Sequence, residues 1–274
     1  MKKFRSPALL TLALAAALAN VSNLFAHEYY LEPDNYSPAI GETIAVRHKL
    51  GEKFKGNELP WVTPWNIRSE FWVKEKKTQL RGLDGDRPAL TIPAQQEGLL
   101  TVIHQSNIDY LTFSSYEKFE KYTRKEGLEH ALAESESGKK PKEGLKEAYS
   151  RFAKTLIAVG NSSTGKDAPT GLKIELVALS HPLELKADMP MKVQLLFDGE
   201  PLAGAAVKAF EGIGQEFAYH VRSDNRGIAE IKPAGPGPYL INAIHMVEPV
   251  SAEAINKQAH WESFWASLTF MRRH

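Results

Sequence analysis

Met191-Lys192-Val193-Gln194-Leu195-Leu196-Phe197 runs straight into Asp198-Gly199. Apolar side chains at 191, 193, 195 and 197 fall on one face of an extended chain, the period of two that a half-buried strand needs, and Asp-Gly is a tight-turn pair. The same signature recurs on both sides: Lys173 to Leu179 before it, then Ala206 to Phe210, Phe217 to Arg222, Ile228 to Ile231, Tyr239 to Met246 and Ser267 to Phe270. Turn residues separate these runs at Asn225-Arg226-Gly227 and Gly235-Pro236-Gly237. Seven short strands in about 100 residues predict a C-terminal β-sandwich, immunoglobulin-like or transthyretin-like.

Toward the N-terminus, Glu42 to Leu50, Glu70 to Lys74 and Leu99 to Gln105 read as strands of a second sandwich. Between the two, the period changes. Ser114 and Glu117 have capping-box spacing, and Phe119, Tyr122, Leu128 and Leu132 make an apolar helical face interrupted at Gly127. After a lysine-rich break, Leu145, Tyr149, Phe152, Ala153, Leu156 and Ile157 recur at three and four, predicting a second helix from Glu143 to Val159. Arg151 and Lys154 on that helix are expected to pair with acids or cover the sandwich. The expected fold is therefore mainly β with a helical insert, in two β-sandwich domains. The divisions are a signal peptide at 1–26, an N-terminal β domain at 27–160 with the insert at about 114–159, a linker at 161–171, and the C-terminal sandwich at 172–274.

The first 26 residues decide the compartment. Lys2, Lys3 and Arg5 precede a run from Ala8 to Ala19 that is apolar apart from Thr11, followed by Leu24-Phe25-Ala26. This is the layout of a secretory signal peptide, and its apolar core is shorter than the ~20 residues of a membrane span. Cleavage after Ala26 predicts an exported protein, soluble in the periplasm without an anchor, that begins at His27. Removing the three leader cations leaves 31 basic against 33 acidic residues, a formal charge of −2, which gives no reason to expect nucleic acid. Cysteine is absent, so disulfides and thiolate metal sites are excluded.

A histidine at the terminus of a chain presents an α-amine and Nδ1 close enough to close a chelate ring. Both nitrogens deprotonate near neutral pH in their ordinary range, and such donors favour nickel, cobalt, copper and zinc over calcium or magnesium. His104 and His48, in predicted strands of the first domain, and His245, in the last long strand of the second, are the candidate partners of His27. By alternation Glu28 points away from His27, and Tyr29 is its better neighbour. Trp61, Trp65, Phe71 and Trp72 are expected to pack as core in preference to forming a sugar platform. The chain lacks a G-x-S-x-G elbow, an H-E-x-x-H pair and a P-loop, so no catalytic residues are nominated and an enzyme is not expected.

Several phrases carry a resemblance: His27-Glu28-Tyr29-Tyr30-Leu31-Glu32-Pro33, Lys118 to Tyr122 with Glu126-Gly127-Leu128, Tyr149 to Leu156, Gly199 to Ala205 and Trp261 to Phe270. Together they resemble a largely uncharacterised family of exported bacterial proteins, some of which are periplasmic components beside nickel and cobalt uptake systems. The resemblance implies an N-terminal β domain beginning with His, a helical insert and a C-terminal sandwich, with a membrane metal-uptake system as partner. The expected function is therefore periplasmic binding of a divalent transition metal, nickel or cobalt first and copper second, for uptake or delivery. A copper-dependent oxidative enzyme and a structural module of the cell envelope are the other readings that the sequence leaves open.

Overall fold

In the computed structural model, the described residues are 27–186, 189–212, 218–232 and 235–273. The expected signal peptide, and Phe217 at the start of one expected strand, lie outside them. The N-terminal half contributes β1 (Glu28–Pro33), β2 (Thr43–Glu52), β3 (Lys55–Leu59), β4 (Asn66–Val73), β5 (Lys76–Gln79), β6 (Leu90–Pro93), β7 (Gly98–Ser106) and β8 (Asp109–Thr112). Helices α1 (Tyr116–Glu126) and α2 (Glu129–Glu134) follow, and then the 14-residue strand β9 (Lys146–Val159). The C-terminal half adds β10 (Ile174–Ala178), β11 (Met191–Phe197), β12 (Glu200–Pro201), β13 (Ala206–Glu211), β14 (Ala218–Arg222), β15 (Ile228–Ile231), β16 (Gly237–Val247), the short helix α3 (Ala252–Asn256) and β17 (Trp261–Arg272).

A nine-stranded sheet joins the two halves in the order β14-β13-β16-β17-β9-β7-β4-β5, with β8 also pairing β9. Its ladders are antiparallel except β9 with β17, which run parallel. Two four-stranded sheets pack on it, one built of β1, β2, β3 and β6 and the other of β10, β11, β12 and β15. The protein is thus mostly β with a small helical part, as its sequence predicts.

Alternation explains how one sheet serves two cores. Leu99, Ile103, Phe152 and Leu156 bury against Ile174, Leu176, Val193 and Leu195 of the C-terminal small sheet. Their neighbours Leu100, Val102, Ala153 and Ile157 point the other way, onto Leu31, Ile44, Val46 and Ile92 of the N-terminal small sheet. Strands β7 and β9 are therefore covered on both faces. Tyr122, Phe119 and Leu128 bury the helices against Trp261, Trp265 and Met246 at the side of the same sheet.

The helix expected from Glu143 to Val159 is corrected by this arrangement: Lys146–Val159 is strand β9, hydrogen-bonded to β7 on one side and β17 on the other. A strand buried on both faces loses its apolar alternation, and the residual spacing of Leu145, Tyr149, Phe152, Leu156 and Ile157 imitates a helical stripe. The first helix is as expected apart from its cap. Ser115, one residue after the expected Ser114, accepts the Lys118 backbone N–H at 3.4 Å, and Gly127 closes α1 at φ +69°. A Cβ at Gly127 would stand 2.6 Å from Ala206 Cβ, so position 127 needs glycine for space as well as for conformation. Among the described residues no helix is long and apolar enough to cross a membrane.

Candidate metal-binding cavity

Strand β2 carries His48 on the face it shares with Leu31, its cross-strand partner on β1. Strand β7 carries His104 on the face of Leu100 and Val102, which looks toward that same small sheet. The two imidazoles therefore meet where the sheets pack, with ring centroids 4.6 Å apart. Tyr29 of β1 stands beside both, its ring 5.7 Å from His48 and 5.3 Å from His104. The histidines are 3% and 2% exposed, and they form the floor of a cavity of about 650 Å³.

Burial sets the chemistry of the pair. Desolvation lowers His48 to about pKa 4. The same cause holds His104 well below its ordinary range, helped by the neighbouring His48 and by the Arg151 charge. Both are neutral imidazoles at physiological pH, the form that binds metal. Ser69 Oγ lies 3.0 Å from His104 Nδ1 across the β4–β7 ladder, which leaves Nε2 of that ring for another partner. Nε2 of His48 is buried with no hydrogen-bond partner. A buried nitrogen without a partner is costly, and a bound water or ion would satisfy it.

The cavity wall continues from β9. Tyr149 and Arg151 alternate onto the same face as Ala153, the residue opposite His104. The Arg151 guanidinium lies 4.7 Å from the Tyr149 ring centroid and 5.9 Å from that of Tyr29. Tyr149 donates its hydroxyl to Asp109 at 2.8 Å, and burial raises its pKa to about 12. Trp265 lines the wall as well, and Trp65, expected as core, is 54% exposed at the cavity. Trp61 is buried, as expected.

The four histidines nominated from sequence fall in three places. His48 and His104 are together. His27 lies just outside the β1 ladder, two residues beyond Tyr29, at the end of a strand that among the described residues pairs with β2 alone. It is not on the cavity wall. His245, on β16, packs against Phe197 at 4.6 Å in the C-terminal half, away from the pair, and burial lowers it to about pKa 4. Glu28 turns away from the cavity as alternation predicts, and its carboxylate accepts the Lys53 backbone N–H. Among the described residues no three His, Cys, Asp or Glu side chains that could hold a metal ion converge on one point, and His48 and His104 stand as a pair. Sequence reasoning missed Arg151, Tyr149, Asp109 and Ser69. The alternation Tyr149-x-Arg151-x-Ala153 held the signal for the first two, once the segment is read as a strand.

No curated protein matches the chain. Among solved structures it is similar to the D0-D1 domain of intimin, at 12% identity over 89% of this chain and 97% of that one, with a TM-score of 0.21. A two-domain fibronectin type-III segment of chicken tenascin is similar at 9% identity, over 89% and 97% of the two chains, with a TM-score of 0.23. A tetra-tandem repeat from the extending region of a large adhesion protein shares 9% identity over 90% and 49%, also at 0.23. Residues 24–247 match the family described as a domain of unknown function, DUF4198. That match spans most of the sequence and takes in His48, His104, Tyr29 and Arg151, so the chain belongs to the DUF4198 family.

Proposed function

We propose that this protein binds one divalent late first-row metal ion in the periplasm, nickel or cobalt first and copper second, and hands it on to a membrane uptake system without doing chemistry on it. The observation that carries the reading is the buried His48–His104 pair, with Nε2 of His48 lacking any hydrogen-bond partner and the rings 4.6 Å apart. Imidazole nitrogens bind such ions at about 2.0–2.1 Å, and the two neutral rings, tilted at 51°, lie close enough together to share one. Ser69 fixes the His104 ring through Nδ1, the second-shell arrangement that metal-binding histidines use.

His27 is the third part of the proposal. Signal cleavage after Ala26 frees its amine, and residue 27 is only two positions, roughly 7 Å of strand, from Tyr29. In the processed protein its amine and imidazole close over the pair. The choice of nickel or cobalt rests on the resemblance, which implies such an association for part of the family, while an amine-imidazole chelate also suits copper.

The test is calorimetric titration of exported protein with its native terminus and no leading tag, using nickel, cobalt and copper salts in turn. One ion per chain is expected, with affinity at least ~100-fold weaker after the double substitution His48→Ala and His104→Ala. His27→Ala should cost about 10-fold, or about 1.4 kcal/mol. Equal affinity in the double variant and the parent would remove the site.

A further inference from the structure

The cavity is larger than an ion needs, and its charge is wrong for a bare cation. At about 30 Å³ per water, 650 Å³ corresponds to roughly twenty waters, whereas an ion with a full first shell brings about six. Among the described lining residues Asp109 is the only acid, and its carboxylate already accepts from Tyr149. Arg151 adds a positive charge to the same wall. A divalent ion between the imidazoles would then face a guanidinium, with Asp109 the one lining carboxylate among the described residues and Glu147, which also feels Arg151, raised by burial to about pKa 7, in a half-enclosed space where unbalanced charge is expensive.

Arg151 is itself unusual. It forms no ion pair among the described residues, its Nε is buried without a hydrogen-bond partner, and it is steadied by the Tyr149 ring at 4.7 Å. A planar guanidinium braced by an aromatic ring is a fork suited to a carboxylate. Tyr29, Trp65 and Trp265 give the remaining wall an aromatic surface that fits a small organic molecule better than water.

We propose that the cavity takes its ion as a complex with a small polycarboxylate, the metal between His48 and His104 and a carboxylate of the chelator on Arg151. This rests on the metal-binding reading above and names the form of its cargo. The chelator supplies the negative charge that the wall lacks and fills the coordination positions that two imidazoles leave open. No bond other than metal coordination is made or broken.

Citrate is the probe. Exported protein is titrated with nickel chloride and with preformed nickel citrate, and retention of radiolabelled citrate is measured after desalting. One citrate per bound nickel is expected. Arg151→Gln should lower citrate retention at least ~10-fold while bare nickel binds more tightly than to the parent, because the opposing charge is gone. Arg151→Lys, which keeps the charge and loses the fork, should fall between the two. If Arg151→Gln fails to fold, stoichiometric retention by the parent and its reduction in Arg151→Lys still decide the matter. Nickel bound with no citrate retained would overturn the chelate and leave the metal site standing. Citrate bound equally without nickel, or by the His48→Ala and His104→Ala double variant, would overturn it in favour of a site for the acid alone. Binding of neither nickel form would remove both readings together.

Discussion

Ser69 matters to the proposed centre out of proportion to its size, because it holds the His104 ring in place through Nδ1. Its hydroxyl and Nδ1 of His104 are 3.0 Å apart on directly opposed residues of β4 and β7, both buried. With Nδ1 engaged, Nε2 is the nitrogen offered to the cavity, and the ring cannot rotate without losing a buried hydrogen bond. Ser69→Ala should therefore weaken metal binding by about 10-fold while costing the fold only about 1–2 kcal/mol. Calorimetry of the variant checks the first and urea unfolding the second; wild-type affinity would show that Ser69 does not orient the ligand. At this scale much was legible in the sequence. Alternation separated Glu28 from Tyr29, because a strand obeys its period of two wherever it sits, but Tyr29 was expected beside His27 and stands beside His48 and His104. What remained illegible was the pairing of His48 with His104, since they belong to different sheets and only the packing of those sheets brings them together.

Strand β9 shows the opposite case, an element whose type was hidden by its position. Its odd-numbered residues serve one core and its even-numbered residues the other, so period two vanishes from its apolar pattern. The C-terminal strands lacked this problem: Met191–Phe197 is buried mainly on one side, with Lys192 exposed, and its bounds match the sequence reading. Lys154 is the clearest mark of the difference. On a surface helix it would have been solvated, but on β9 it is 1% exposed, 3.1 Å from Asp167 and 2.6 Å from Glu175. Its pairing with acids was anticipated, its burial was not. Glu175 in turn accepts from the Thr170 backbone N–H and hydroxyl, so the triad ties the strandless segment 160–172 to the sheet that spans both halves. Removing the cation leaves two buried carboxylates facing each other, and Lys154→Met should destabilise by about 3–5 kcal/mol. Adding Asp167→Asn and Glu175→Gln removes the stranded charges and should recover most of that loss. The urea midpoints of the two variants measure this; a Lys154→Met protein within about 1 kcal/mol of the parent would show the triad to be dispensable.

For the whole molecule, stability against pH is set by buried groups pushed in opposite directions. Burial raises Glu28 and Glu147 to about 7, and lowers His48 and His245 to about 4. A raised carboxyl keeps a proton in the folded state that the unfolded chain has lost, so its contribution is present below the ordinary carboxylate pKa of about 4.5 and drains away as pH rises to 7. A lowered imidazole works the other way: its contribution is complete above about 6.5 and is lost as pH falls toward 4. The two slopes oppose each other between about pH 4.5 and 6.5, so each offsets part of the other in the metal-free protein. Glu147 offers the cleanest test. It is fully buried where β9, β17 and α1 meet; Tyr122 and Ser263 donate to one carboxyl oxygen, and the other oxygen has no partner. Arg151 and Glu126 also bear on it, the first favouring its charge and the second opposing it. Glutamine copies the protonated acid, accepting both hydroxyls and never ionising. Glu147→Gln should match the parent at pH 4 and exceed it at pH 8 by on the order of 3 kcal/mol, the cost of ionising a group shifted from 4.5 to about 7. Urea unfolding in the presence of a chelator at those two pH values measures the gap. A difference that does not change with pH would mean that Glu147 keeps its ordinary carboxylate pKa in the folded protein.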